Sequence, residues 1–140
     1  MRRPYTFGMT QRVLPYLLVG VGGFLGANAR YLTARWAGQV VDARFPLGTF
    51  LINVSGSFVL GLIGGLLAAR LVPHGDAVRL ALGVGFLGAF TTFSTFEYET
   101  NALLEDGVWI TAVANVVLSV LVGLIAVRAG LVVARDWLAR

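Results

Sequence analysis

Apolar residues gather into four long blocks, Val13–Leu32, Leu47–Ala69, Val78–Asn101 and Val108–Ala134, and the stretches between them hold much of the charge. Each block approaches or exceeds the roughly 20 residues an α-helix needs to cross about 30 Å of hydrocarbon. Leu47–Ala69 has no charged side chain, and Val108–Ala134 has none before Arg128, whose aliphatic stem lets its head reach the interface. The pattern predicts an all-α integral membrane protein of four transmembrane helices. They form one domain over residues 1–140, with residues 1–12 as a cytoplasmic or external tail. The first block has the apolar run of a signal peptide, but it continues helically into Asn28-Ala29-Arg30-Tyr31 and three further spans follow, so it reads as the first helix.

Composition agrees. With 57% apolar residues, 18 glycines and 13% charged residues, the chain is too hydrophobic for a soluble domain, so its apolar side chains face lipid. There is no cysteine, hence no disulfide or thiol chemistry, and the single His74 lies in a loop, which excludes a multi-histidine metal site within one chain. The chain is not read as an enzyme. Its formal charge of +4 rests on arginine alone, placed mainly at helix ends and tails, which suits lipid headgroups better than nucleic acid.

Arg2, Arg3, Arg12, Arg70, Arg79, Arg128, Arg135 and Arg140 fall on one face of the predicted topology, against Arg30, Arg35 and Arg44 on the other. By the positive-inside rule both termini are cytoplasmic; Glu97, Glu99, Glu105 and Asp106 on the opposite face add little, because carboxylates weigh lightly in topology. Four short helices fill their own centre with side chains, so an oligomer is the expected working unit. Gly22 and Gly26, then Ser57, Gly61 and Gly65, then Gly123 mark helix faces on which backbones can approach closely.

Polar residues inside these spans are the candidates for chemistry. Asn53, with Thr49, Ser55 and Ser57 nearby, needs either an interhelical partner or a wet cavity, since an unpaired amide in hydrocarbon costs several kcal/mol. Thr111, Asn115, Ser119 and Gly123 step by four along one face of the last helix and could line a path. Arg30, at the end of the first span, has the position of a snorkelling guanidinium or a vestibule residue.

The third span is the most unusual. Gly83, Gly85 and Gly88 precede Phe90-Thr91-Thr92-Phe93-Ser94-Thr95-Phe96, a run of mediocre helix formers whose hydroxyls can rebind local backbone. The helix is expected to be interrupted here in mid-membrane. Non-helical backbone survives at that depth only when buried in protein or lining a cavity, where freed carbonyls can coordinate a cation. Phe93 and Phe96 share a face, with Phe90 expected in the same row. Their ring edges carry partial positive charge and tolerate an anion.

Three segments, Gly22-Gly23-Phe24-Leu25-Gly26-Ala27-Asn28-Ala29-Arg30-Tyr31, Gly48-Thr49-Phe50-Leu51-Ile52-Asn53-Val54-Ser55-Gly56-Ser57-Phe58 and Gly85–Phe96, resemble in order and spacing the Fluc (CrcB-type) fluoride channels. The likeness runs from about Tyr16 to Gly130. It implies an antiparallel, dual-topology homodimer in the cell membrane, with two fluoride pores and a structural sodium ion at the dimer interface. By position, Gly88 and Thr91 would offer backbone carbonyls to the sodium. Phe93 and Phe96 would present ring edges to fluoride, Asn53 would donate amide N–H groups, and Ser119 would face the pore from the last helix. Thr92, Thr95 and Glu99 would extend a polar track. Asn115 stands where some relatives use tyrosine and Gly123 where some carry a second serine, which implies a shorter or wetter lining. The arginine bias sits awkwardly with dual insertion.

The implied activity is passive fluoride efflux that lowers fluoride toxicity. The alternative is a small four-helix multidrug or cation exporter. That chemistry needs a membrane-embedded carboxylate, and the first two spans contain none. A purely structural subunit would not need polar residues concentrated in the third span.

Overall fold

The computed structural model describes residues 9–40 and 44–138. Their regular structure is all helical: α1 (Met9–Val40), α2 (Leu47–Ala68) and α3 (Gly75–Val78), which runs through a π-helical stretch (Arg79–Leu87) into α4 (Gly88–Phe90), then α5 (Phe93–Glu105) and α6 (Trp109–Leu138). Among the described residues, four units are long and apolar enough to span a membrane: most of α1, α2, the combined Gly75–Glu105 segment, and most of α6.

Three of the four spans outrun their apolar blocks, whereas α2 matches its own to within one residue. The first extends to Val40 rather than Leu32, the third covers Gly75–Glu105 rather than 78–101, and the fourth runs from Trp109 to Leu138 rather than over 108–134. Charge ends an apolar window but does not end a helix, so α1 passes through Arg30 and Arg35 unbroken. The expected tail is shorter, because helix begins at Met9; residues 1–8 lie outside the described residues.

Helices stop where turn chemistry stops them. After α5, Gly107 takes a left-handed φ of 73°, its N–H bonding the Leu104 carbonyl while the Val108 N–H bonds that of Leu103. Glycine accepts this conformation without steric cost. After α2 the same pair of bonds forms around Arg70, left-handed at φ 57° despite its side chain.

The spans pack chiefly in two pairs, α1 against the π-helical stretch and α2 against α6. Small residues permit this. A Cβ on Gly22 would strike the Ala81 carbonyl, one on Gly26 the Phe86 carbonyl, and one on Gly61 the Val127 carbonyl. Gly130, which the sequence reading passed over, is equally tight against Phe58. Gly123 is not a close-packing residue, since a Cβ there would meet only Ser57 Oγ, at 3.8 Å.

The interior is correspondingly lean. Among the described residues its buried apolar side chains are Ile52, Leu87, Leu103 and four alanines, whereas Leu17, Phe24, Ile110, Leu124 and Ile125 point outward. In lipid no hydrophobic force drives large apolar side chains inward, and close backbone packing takes its place.

Candidate functional site

The site is built where the third span leaves helical geometry. Thr91 (φ −77°, ψ 157°) and Thr92 (φ −150°, ψ 118°) are both extended, a conformation that suits their β-branched side chains. The hydroxyls stabilise both flanks. Thr91 Oγ1 donates to the Leu87 carbonyl at 2.9 Å, while Thr92 caps α5 by accepting from the Thr95 N–H at 3.3 Å and lies 3.0 Å from the Thr95 hydroxyl.

Two extended residues free peptide groups that a continuous helix would pair internally. Asn53, on α2, takes up those of Thr92. Its Oδ1 accepts from the Thr92 N–H at 2.8 Å and its Nδ2 donates to the Thr92 carbonyl at 2.9 Å. The Thr92 N–H is the group that would have bonded the Gly88 carbonyl in an unbroken helix, so that carbonyl is released. Asn53 thus has an interhelical partner and also borders a cavity. An amide NH2 carries two hydrogens, and the Thr92 carbonyl takes one.

The cavity, of about 350 Å³, is partly open and is lined by Asn53, Gly88, Thr91, Thr92, Phe93, Phe96 and Ser119 among others. Phe93 is 70% exposed within the single chain. Its ring centroid lies 5.7 Å from that of Phe96, the planes tilted by 37°. Phe90 does not extend this row. The extended turn rotates it away, and it stacks on Phe86 at 5.8 Å instead.

Thr95, Glu99 and Arg30 are absent from the cavity wall. Thr95 is engaged with Thr92. Glu99 lies further along α5, near Thr49, and its Oε2 is enclosed without a partner. Arg30 is half-buried on α1.

The four-step stripe on α6 divides. Ser119 borders the cavity, whereas Asn115 is 1% exposed and points between α5 and α6. Asn115 Nδ2 donates to Thr100 Oγ1 at 2.8 Å, and Thr100 Oγ1 donates to the Phe96 carbonyl at 2.7 Å. The α6 lining therefore gains no water-facing amide at this position. Thr100 escaped the sequence reading, although its spacing of four from Phe96 was a visible signal.

Among known proteins, the family model described as "CrcB-like protein, Camphor Resistance (CrcB)" matches residues 17–131. The chain is 49% identical over 122 residues to "Fluoride-specific ion channel FluC" of Solibacter usitatus, covering 87% of this chain and 99% of that one. It is 47% identical over 124 residues to the protein of the same name from Geobacter metallireducens, covering 88% and 98%. It is also 47% identical over 112 residues to "Fluoride-specific ion channel FluC 2" of Moorella thermoacetica, covering 80% and 89%. A match running through all four apolar helices, at this identity, makes the chain a multi-pass membrane protein of the CrcB-like family.

Proposed function

We propose that the chain is the subunit of a fluoride-selective channel through which fluoride leaves the cytoplasm passively, lowering its toxicity. The observation that carries this reading is the open cavity on which Asn53, Phe93, Phe96 and Ser119 converge, in a chain whose relatives are named fluoride-specific ion channels.

Fluoride is small and strongly hydrated, so a pore has to replace its lost water with several close donors. The remaining Asn53 amide hydrogen, the Ser119 hydroxyl and the positive ring edges of Phe93 and Phe96 are donors of that kind. A larger halide would not fit among all of them at once. Thr92, at the cap of α5, belongs to this wall, and Thr95 and Glu99 would carry a polar track beyond it along α5. Weakly acidic hydrogen fluoride enters a cell, dissociates there, and the membrane potential drives the trapped anion outward through such a path.

One chain leaves this cavity open, and the working unit is an antiparallel homodimer in the cell membrane, each subunit a single domain whose third span is broken in mid-membrane. Two pores result. The Gly88 and Thr91 carbonyls would hold a structural sodium ion at the dimer interface together with the same pair from the second subunit. Released carbonyl oxygens fit a hard cation. When bound, the ion supplies fixed positive charge beside the anion path.

Fluoride efflux from liposomes, followed with a fluoride electrode and with chloride as control, tests the reading. Fluoride flux well above chloride flux is expected. Equal fluxes, or none from a folded dimer, would overturn it.

A further inference from the structure

We infer that Asn115 is a positioning residue for the permeation wall, holding the Phe96 side and the Ser119 side of the cavity in register through Thr100. The inference rests on the channel reading.

The bonding order follows from donor and acceptor chemistry. The Phe96 carbonyl can only accept, so the single Thr100 hydroxyl hydrogen goes to it, across 2.7 Å. Thr100 Oγ1 then has only lone pairs left for Asn115, and the atom facing it at 2.8 Å must be the NH2. This fixes the amide orientation and turns Asn115 Oδ1 toward Ser119, whose Oγ lies 3.4 Å away. Ser119 donates to it. Three bonds thus run in one direction, from the α6 wall through a buried amide to the α5 backbone at Phe96.

Two consequences follow for the cavity. The Asn115–Thr100 link ties α6 to the helical turn that carries Phe96, so the backbone from which the ring projects cannot shift relative to Ser119 without breaking a buried bond. The Ser119 hydrogen is also drawn toward Asn115 when no anion is present. At 3.4 Å that bond is weak, so the hydroxyl can turn to an arriving anion at little cost. Asn115 acts on the ion through its neighbours, without touching it.

The test compares full-length wild type, Asn115→Leu, Thr100→Val and the double variant, each reconstituted in liposomes for fluoride and chloride flux and unfolded by heat in detergent. Asn115→Leu is expected to lower fluoride flux about tenfold, the equivalent of one lost hydrogen bond, and to lower the fluoride-to-chloride ratio. Removing both partners leaves no orphaned polar group at the Asn115–Thr100 contact, so the double variant regains thermal stability. Its flux and ion ratio should stay down. Recovery of flux together with stability would make Asn115 merely structural and overturn the inference, as would unchanged flux and ratio in Asn115→Leu beside an active wild type. Absence of fluoride flux from the wild type itself would instead overturn the channel reading.

Discussion

Asn53 and Thr92 lie 39 residues apart and are joined by two hydrogen bonds, of 2.8 and 2.9 Å, through which one side-chain amide pairs both peptide groups of an extended residue. The asparagine behaves as a short piece of β-ladder set into a helical protein. It makes the loss of helix at Thr91 and Thr92 tolerable, and it leaves one amide hydrogen beside the cavity.

Asn53→Ala should therefore damage folding as well as flux. The change strands the Thr92 N–H and weakens the pairing of its carbonyl, at about 1–3 kcal/mol for an unsatisfied buried group. A drop in the thermal unfolding temperature in detergent, with fluoride flux lost, is the expected outcome. Wild-type stability in this variant would show that water replaces the amide, and that Asn53 is free to serve the ion alone.

The two phenylalanines should separate differently. Phe93, 70% exposed in the single chain, contributes little to the subunit's own core, so Phe93→Ile should suppress fluoride flux while leaving the unfolding temperature close to wild type. Phe96 is half-buried, and Phe96→Ile should lower both. Full flux in both variants, measured with the fluoride electrode, would remove the rings from the ion path.

The four spans were legible because hydropathy reports directly on what faces lipid. Their ends were not: the first apolar block closes at Leu32, between Arg30 and Arg35, but nothing there breaks a helix, and α1 continues to Val40. At the candidate site, polar positions within apolar spans singled out Asn53 and Ser119, and the resemblance to the fluoride channels added Phe93 and Phe96; all four border one cavity. Pairings between distant segments were beyond reach. Periodicity on an uninterrupted helix put Phe90 in line with Phe93, whereas two extended residues between them turned it toward Phe86. The same logic grouped Asn115 with Ser119 on one face as a shared lining, whereas Ser119 borders the cavity and the Asn115 amide is buried against Thr100 of α5.

Glycines that look alike in sequence should respond oppositely to substitution. Gly130→Val places a branched side chain against the Phe58 carbonyl and Leu62 N–H, forcing α2 and α6 apart. Overpacking of this kind costs about 1–3 kcal/mol or more. Gly64 has open space where its Cβ would lie, so Gly64→Ala should be neutral or slightly stabilising through helix propensity. Thermal unfolding of the two purified variants makes the comparison, and equal tolerance would mean the α2–α6 contact is looser than its geometry.

Dual insertion can be tested cleanly because the natural chain has no cysteine. Asp76→Cys and Asp106→Cys each place one thiol at an exposed position, the first in the opening turn of the third span, beside the loop that follows α2, and the second in the turn between the third and fourth spans. These loops lie on opposite sides of the membrane in any one orientation. If the chain inserts both ways, an impermeant maleimide added to intact cells labels a substantial fraction of each variant, and permeabilisation raises both to completion. Arginine counting favours a single orientation, in which only the Asp106→Cys loop is reached from outside. Labelling of that variant alone would make the arginines decisive and would rule out an antiparallel pair of identical chains.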